Sequence, residues 1–172
     1  MRVRLLAKLG CGARESGHLR AARRFFERGA TRGDGVCCIS LAHIYDVGLG
    51  TRVDKKRAMH WYKLAWRSRD RAAAGNIAIL YRESGNHRLA FIWFEQAAKA
   101  GDGDALVELA KCFLGGIGIR RDKSAAIRHV RAAIAHTPYE GTFGITPFGW
   151  EEAESMLHDL SPESTSGEDS AS

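Results

Sequence analysis

Long apolar runs are absent from this sequence, and so are the features of a targeting segment. No stretch of the 172 residues approaches the roughly eighteen consecutive apolar residues that a membrane-spanning helix requires. The run from Val3 to Leu9 is too short for the hydrophobic region of a signal peptide. Arg2, Arg4 and Lys8 resemble part of a mitochondrial transit segment, but they align with the internal repeat described below. We therefore expect a folded start, no membrane span, and a cytoplasmic protein of bacterial origin.

Cysteine is also scarce, and its spacing excludes the common cysteine-based sites. The four cysteines are Cys11, Cys37, Cys38 and Cys112. None forms the C-x-x-C pair of zinc or redox sites, and the adjacent Cys37 and Cys38 have poor geometry for an ordinary disulfide. We expect buried thiols in a reducing compartment rather than a disulfide framework. For Cys37, close to the start of a helix, a lowered thiol pKa is the alternative to burial.

The motifs of enzymes and cofactor sites are missing as well. Gly48-Leu49-Gly50 and Gly116-Ile117-Gly118 are not phosphate loops, because no strand precedes them and no G-K-S/T follows. The seven histidines are scattered without an H-E-x-x-H motif. His129 stands at an aromatic position of the repeat, where we expect a packed side chain rather than a ligand. We predict no catalytic residues, no cofactor and no metal site.

The charge that is present is basic and concentrated near the start of the chain. The formal net charge is +6, and residues 1–32 hold nine basic residues against two acids. Arg20, Arg24 and Arg28 lie four residues apart on one predicted helix. Two explanations stay open, a binding surface for nucleic acid or another polyanion and a merely solvated arginine-rich surface. No aromatic residue is predicted to stack on bases, so any nucleic-acid binding would be sequence-independent and salt-sensitive.

An internal repeat organises the chain. Shifting the sequence by 68 residues aligns it with itself over more than fifty positions without a gap, so that Arg14-Glu15-Ser16-Gly17 meets Arg82-Glu83-Ser84-Gly85. Offsets of 32 and 36 residues give weaker matches, and the chain therefore holds four units grouped as two pairs. The units are 3–32, 36–68, 72–100 and 104–136, together forming an array over residues 1–136.

Each unit is predicted to be an antiparallel helix hairpin. In the second unit Asp54 is the expected N-cap of the second helix, and Gly48 suits the left-handed residue that ends the first helix. The apolar residues of the second helix follow the 3.6-residue period and form one stripe. They are Ala58, Trp61, Tyr62 and Ala65. One hairpin cannot bury such a face alone, so neighbouring hairpins must stack.

The pattern L-A/G-x-x-Y-x-x-G-x-G-x-x-x-D-x-x-x-A-x-x-W-Y/F-x-x-A resembles the Sel-one-like repeat family, which is related to the tetratricopeptide repeats. The second unit matches it best, from Leu41 to Ala65. The fourth unit departs at His129-Val130 and the first at Ala13. Arg69 occupies a position that holds glycine elsewhere, so we expect that corner to be reshaped. The resemblance implies an all-α fold, an α-solenoid of about four antiparallel hairpins in a right-handed superhelix, that acts as a scaffold for protein complexes.

The segment after the fourth unit is predicted to cap the array. Residues 137–160 combine a loop rich in glycine, proline and aromatics with a closing helix. Thr146 and Pro147 fit the N-cap and first position of that C-terminal capping helix. From Ser161 onward the chain is serine-rich and acidic, so we expect residues 161–172 to be disordered.

A surface that does not repeat is the best candidate for function. Two aligned positions on the first helix of each unit hold unlike residues, whereas core positions should stay apolar. In related arrays this helix lines a concave groove, so we predict that the chain is a non-catalytic adaptor that binds a protein or peptide partner there. Binding of nucleic acid or a polyanion by the arginine-rich face is the alternative. The predicted partner-binding residues are Lys8, Ser40, His43, Asn76, Ile79, Glu108 and Lys111.

Overall fold

The computed structural model describes residues 3–136 and 144–160, and this part of the chain folds into nine α-helices. The helices fall into two compact units. From here on, the first unit is residues 1–84 with α1 to α5 and the second unit is residues 85–172 with α6 to α9, whereas the four sequence repeats are called hairpins. The bounds are α1 Val3–Glu15, α2 Leu19–Ala30, α3 Gly35–Val47, α4 Lys55–Arg67, α5 Ala73–Glu83, α6 His87–Lys99, α7 Gly103–Gly115, α8 Lys123–Ile134 and α9 Pro147–Leu160.

Aspartates start four of the nine described helices. The Asp54 carboxylate accepts a hydrogen bond from the Arg57 backbone N–H at 2.9 Å, which confirms Asp54 as the N-cap of α4. Asp34, Asp102 and Asp122 cap α3, α7 and α8 in the same way. Each bond satisfies one of the free N–H groups at a helix start and fixes where the chain turns into the helix.

Left-handed glycines end the first helices of the two best-matching hairpins. Gly48 follows α3 with φ 77°, and Gly116 follows α7 with φ 69°. Glycine adopts this conformation without the Cβ clash that other residues meet, so the chain can reverse within a few residues. The Gly-x-Gly segments are therefore helix-to-helix loops, as predicted.

The first unit is held by alanine contacts and by buried tyrosines with paired hydroxyls. Ala22 and Ala58 are fully buried where helices approach closely. Tyr62 is also buried, and its hydroxyl donates to the Asp46 carboxylate at 3.3 Å. The Tyr45 hydroxyl donates to Glu27 at 3.1 Å. Because both hydroxyls have partners, each ring contributes its apolar area without leaving a polar group unpaired.

The corner between α4 and α5 keeps the left-handed residue of its glycine equivalents. Arg69 has φ 63°, against 78° at Gly33 and 95° at Gly101. Its backbone N–H donates to the Trp66 carbonyl at 3.0 Å, and Gly33 and Gly101 donate to the carbonyls three residues before them. The helix start that follows is reshaped, in line with the expectation: α3 and α7 begin directly after their capping aspartates, whereas α5 begins at Ala73, three residues after Asp70, without a side-chain cap. The hydrogen-bonded end of α4 holds the left-handed conformation, and Arg69 accepts the strain.

In the second unit, α9 packs on the α7–α8 hairpin. Ile145 and Ala153 are fully buried in one cluster with Val107 and Val130. The Trp150 indole N–H donates to the Ile134 carbonyl at 3.2 Å, which satisfies a free group at the end of α8. The α9 segment therefore continues the apolar core of the hairpin.

The start of α9 is fixed by one aspartate. The Asp104 carboxylate accepts hydrogen bonds from the Thr146 hydroxyl at 2.8 Å and from its backbone N–H at 3.1 Å. The Thr146 hydroxyl in turn accepts from the Gly149 N–H at 3.0 Å, so Thr146 is the N-cap and Pro147 the first residue of α9, as predicted. The predicted aromatic loop 137–143 and the predicted disordered tail 161–172 lie outside the described residues.

Candidate functional site

The predicted first-helix stripe is open to solvent at three positions of the first unit. Lys8, His43 and Ile79 are exposed, and the Ile79 side chain is 37% accessible although its neighbours on α5 are buried. Ser40 is half-buried. Asn76 is half-buried too, and its amide N–H donates to the Ala72 carbonyl at 2.9 Å. One N–H of the Asn76 amide is thus bound within α5, whereas the side chains of Lys8, His43 and Ile79 face solvent.

In the second unit the two predicted residues, Glu108 and Lys111, pair with each other, and Lys111 also pairs with a residue of α9. The Lys111 ammonium lies 3.1 Å from a Glu108 carboxylate oxygen and 2.8 Å from the Glu152 carboxylate of α9. Burial alone lowers the pKa of Lys111, but hydrogen bonds to Glu152 and Glu108 outweigh it, so its pKa is raised. Sequence analysis missed Glu152 as the partner of Lys111, because the two are 41 residues apart.

A second candidate site is a groove along α2. It has a volume of about 790 Å³ and runs from the start of α2 to the loop between α3 and α4. Arg20, Arg24 and Arg28, called the arginine row below, line it with exposed side chains. Leu19 and Phe25 provide its apolar wall. From sequence no aromatic residue was expected to stack on bases here, and the structure places Phe25 in the lining beside the arginine row.

Helix geometry explains why Phe25 is available. Phe26 takes the fully buried position of the α2 stripe, together with Ala22 and Ala30. Successive residues of an α-helix are turned by about 100°, so Phe25 leaves the core face and stays half-buried beside the arginine row. The pair Phe25-Phe26 was the available sequence signal, because two adjacent aromatics on a helix cannot face the core equally. In α4 likewise, Tyr62 is buried and Trp61 half-buried.

The charge of the arginine row is not neutralised within the described residues. None of its three members forms an ion pair there. The acid on the same helix, Glu27, accepts from the Tyr45 hydroxyl at 3.1 Å and lies 3.8 Å from the Arg23 guanidinium. Because Glu27 is held by these neighbours, the groove combines three cationic groups with an apolar wall.

The remaining polar candidates have structural roles. Burial raises the pKa of the Cys37 thiol to about 12, with the Asp34 carboxylate adding to the effect, and burial raises that of Cys38 to about 11. A lowered Cys37 pKa is therefore wrong. His129 packs on the Phe113 ring, with ring centroids 5.2 Å apart, and its Nδ1 is 2.8 Å from the Ala125 carbonyl oxygen. Among residues 3–136 and 144–160, no three metal-ligating side chains cluster, and no helix is long and apolar enough to cross a membrane.

Comparisons with known proteins agree with the geometry. The model of the Sel1 repeat matches residues 19–34, 35–67, 77–102 and 103–136, which together make up more than half of the chain. A sequence comparison with curated proteins finds no significant match. The first helix, α1, lies outside the matched segments.

Two solved structures resemble this one over most of its length. A protective antigen of uropathogenic Escherichia coli that displays an SLR fold is 26% identical, with a TM-score of 0.69 over 77% of this chain and 30% of its own. A Sel1 repeat protein from Oxalobacter formigenes is 21% identical, with a TM-score of 0.69 over 78% of this chain and 58% of its own. This chain thus spans less than two thirds of either neighbour, and the neighbours show an all-α repeat fold of the solenoid class. The chain belongs to the Sel1 repeat family, whose members generally mediate protein–protein interactions as non-catalytic scaffolds.

Proposed function

We propose that this chain is a non-catalytic adaptor that binds a protein or peptide partner on the first-helix stripe. The observation that carries the proposal is the exposure of Ile79 next to the buried Ile77 and Ala78 on α5. A large apolar side chain on an otherwise variable, polar stripe contributes binding energy when a partner removes it from water. His43, aligned with Ile79, and Lys8, aligned with Asn76, add exposed hydrogen-bonding groups to the stripe of the same unit.

The two stripe residues of the second unit contribute differently. Glu108 and Lys111 are half-buried, and Lys111 is bridged to the capping helix through Glu152. We place the partner's direct contacts mainly on Lys8, Ser40, His43, Asn76 and Ile79. The Glu108–Lys111 pair holds α9 in position.

Site-specific photo-crosslinking tests this proposal. A photoreactive residue placed at Ile79 should capture a partner in cells that naturally produce the protein. Ile92 on α6 is the matched control, because it is also isoleucine and is 39% accessible, against 37% for Ile79. A partner captured at position 79 and not at 92 supports the stripe. Equal capture at both positions, or none at 79, contradicts it.

We also place the adaptor in a bacterial cytoplasm. The two neighbouring structures come from bacteria. The four cysteines, all within the described residues, form no disulfide, and three of them are buried, as suits a reducing compartment. Fractionation of the producing cells tests this placement, since recovery from a periplasmic or secreted fraction contradicts it.

A further inference from the structure

We propose that the groove along α2 binds an acidic protein segment that also carries apolar side chains, at a surface separate from the first-helix stripe. The site is built from the arginine row, Arg20, Arg24 and Arg28, and from the apolar wall of Leu19 and Phe25. It stands on one helix of the first unit. It therefore does not depend on the adaptor surface proposed above.

The repeat itself does not require arginine at these places. The residues 68 positions later are Arg88, Ile92 and Gln96, so only the first member of the arginine row recurs in α6. The wall position Phe25 is aromatic again, as Trp93. The aligned residues of α4 are Lys56, His60 and Leu64, and those of α8 are Ser124, Arg128 and Ala132. Single positions thus recur as basic residues, but the row of three arginines is particular to α2, where it serves neither the hairpin core nor an ion pair within the described residues.

The spacing of the arginine row fits an extended peptide. Residues four apart on an α-helix rise by about 6 Å. Alternate residues of an extended strand are about 7 Å apart and point to the same side. A peptide lying along α2 can therefore place successive acidic side chains over Arg20, Arg24 and Arg28. The side chains between them lie on the opposite side of the strand, and a strand held edge-on in the groove turns that side toward the apolar wall.

The apolar wall favours an acidic segment with apolar side chains over nucleic acid and over the chain's own acidic segment. Specific nucleic-acid interfaces are strongly polar, and duplex binding commonly neutralises about six to ten phosphates. This groove offers three arginines and a half-buried phenylalanine. The chain's own acidic segment from Ser161 carries no large apolar side chain that would cover Phe25. An acidic segment with interspersed leucine or aromatic residues satisfies both halves of the groove.

Fluorescence anisotropy with the full chain tests the proposal. The probe is a short fluorescein-labelled peptide in which glutamate alternates with leucine, at low ionic strength. One comparison probe replaces leucine by serine, and another is a single-stranded DNA oligonucleotide of the same net charge. An unlabelled peptide of residues 161–172 serves as competitor. The variants are Arg24→Glu, Arg28→Glu and Phe25→Ala.

Arg128→Glu is the matched charge control. Arg24 and Arg128 are both exposed, and each is the sixth residue of a 12-residue helix. Both reversals change the net charge equally, so a difference between them reports the location of the charge. Circular dichroism confirms that each variant is folded.

The expected result is tightest binding of the glutamate–leucine peptide. Arg24→Glu and Arg28→Glu should each weaken it about tenfold, because an attractive charge becomes repulsive. Phe25→Ala should weaken it about fivefold through lost apolar burial, and should leave the glutamate–serine peptide unchanged. Arg128→Glu should have an effect of less than about twofold, since remote charges are screened.

Other outcomes overturn the proposal. Tighter binding of the oligonucleotide assigns the groove to nucleic acid. Equal losses with Arg24→Glu and Arg128→Glu indicate unspecific attraction to net charge. Displacement by the 161–172 peptide assigns the groove to the chain's own tail. No measurable binding of the glutamate–leucine peptide removes the proposed class of partner.

Discussion

Replacing Arg69 by glycine should stabilise the protein. A non-glycine residue in the left-handed region costs about 1–2 kcal/mol, and Arg69 stands there with φ 63°. Glycine removes this strain, but its greater conformational entropy stabilises the unfolded chain by about 0.4–1 kcal/mol and offsets part of the effect. The net gain for Arg69→Gly is therefore about 0.5–1 kcal/mol. For a chain of this size that corresponds to a rise in Tm of roughly 1–4 °C, measured by circular dichroism.

The equivalent corner supplies the reciprocal experiment. Gly33 has φ 78°, and a Cβ built on it would meet no atom within 4 Å. Gly33→Arg therefore introduces the backbone strain without a steric clash, and should lower the free energy of unfolding by about 0.5–1 kcal/mol. The double variant Arg69→Gly with Gly33→Arg keeps the net charge, and its free energy of unfolding should be close to that of the unchanged protein.

A third variant separates charge from backbone. Arg69→Ala removes the guanidinium but keeps a Cβ at positive φ, so its stability should stay within about 0.5 kcal/mol of the unchanged protein. If Arg69→Ala stabilises as much as Arg69→Gly, charge rather than backbone strain is responsible. If Arg69→Gly lowers Tm, the assignment of strain to this corner is refuted.

Three further predictions concern the second unit and the thiols. Asp102→Asn should change stability little in urea titrations, since burial raises the pKa of Asp102 and asparagine keeps the capping oxygen, whereas Asp102→Ala should cost about 1 kcal/mol. Lys111→Met should increase amide hydrogen exchange in α9, because Glu108 and Glu152 lose the ammonium between them. Cys37 and Cys38 should resist Ellman's reagent at neutral pH until the protein unfolds, since burial raises the pKa of both thiols.

Each of these has a result that would contradict it. Equal destabilisation by asparagine and alanine would show that the Asp102 charge matters more than its capping bond. The Lys111 contribution should be complete below the unfolded pKa near 10.5 and fade as pH rises through the raised folded value, so a loss near neutral pH would exclude the ion pair. Rapid labelling of Cys37 in the folded protein would place that thiol outside the core.

Local features of the fold follow from sequence because they depend on residues close in the chain. Asp54, Gly48 and Thr146 each act on backbone groups within a few positions, and such residues have few other ways to satisfy a helix end. The 68-residue period adds independent copies of the same signals. The all-α repeat fold was therefore predictable from residues alone.

The missed features depend on contacts between distant residues. Lys111 meets Glu152 only because α9 packs beside α7, and no local pattern encodes that approach. The groove beside Phe25 requires the α3–α4 loop to pass near the start of α2. At Arg69 the end of α4 keeps the left-handed turn despite a strain of about 1–2 kcal/mol, and the change that the sequence predicted lies in the later, uncapped start of α5. Whether the first-helix stripe binds a partner stays a prediction.

The second glycine of each Gly-x-Gly loop has a consequence for how such arrays are lengthened. A Cβ on Gly50 would lie 2.6 Å from the Leu19 Cβ, and one on Gly118 would collide with the backbone of His87, the residue aligned with Leu19. Each loop therefore fits against the start of a helix in the preceding hairpin. A gene duplication or engineered insertion that preserves these contacts must copy two hairpins at once. Duplicating one hairpin would leave this glycine contact without its counterpart. The unit of duplication in this chain is therefore a pair of hairpins, 68 residues long.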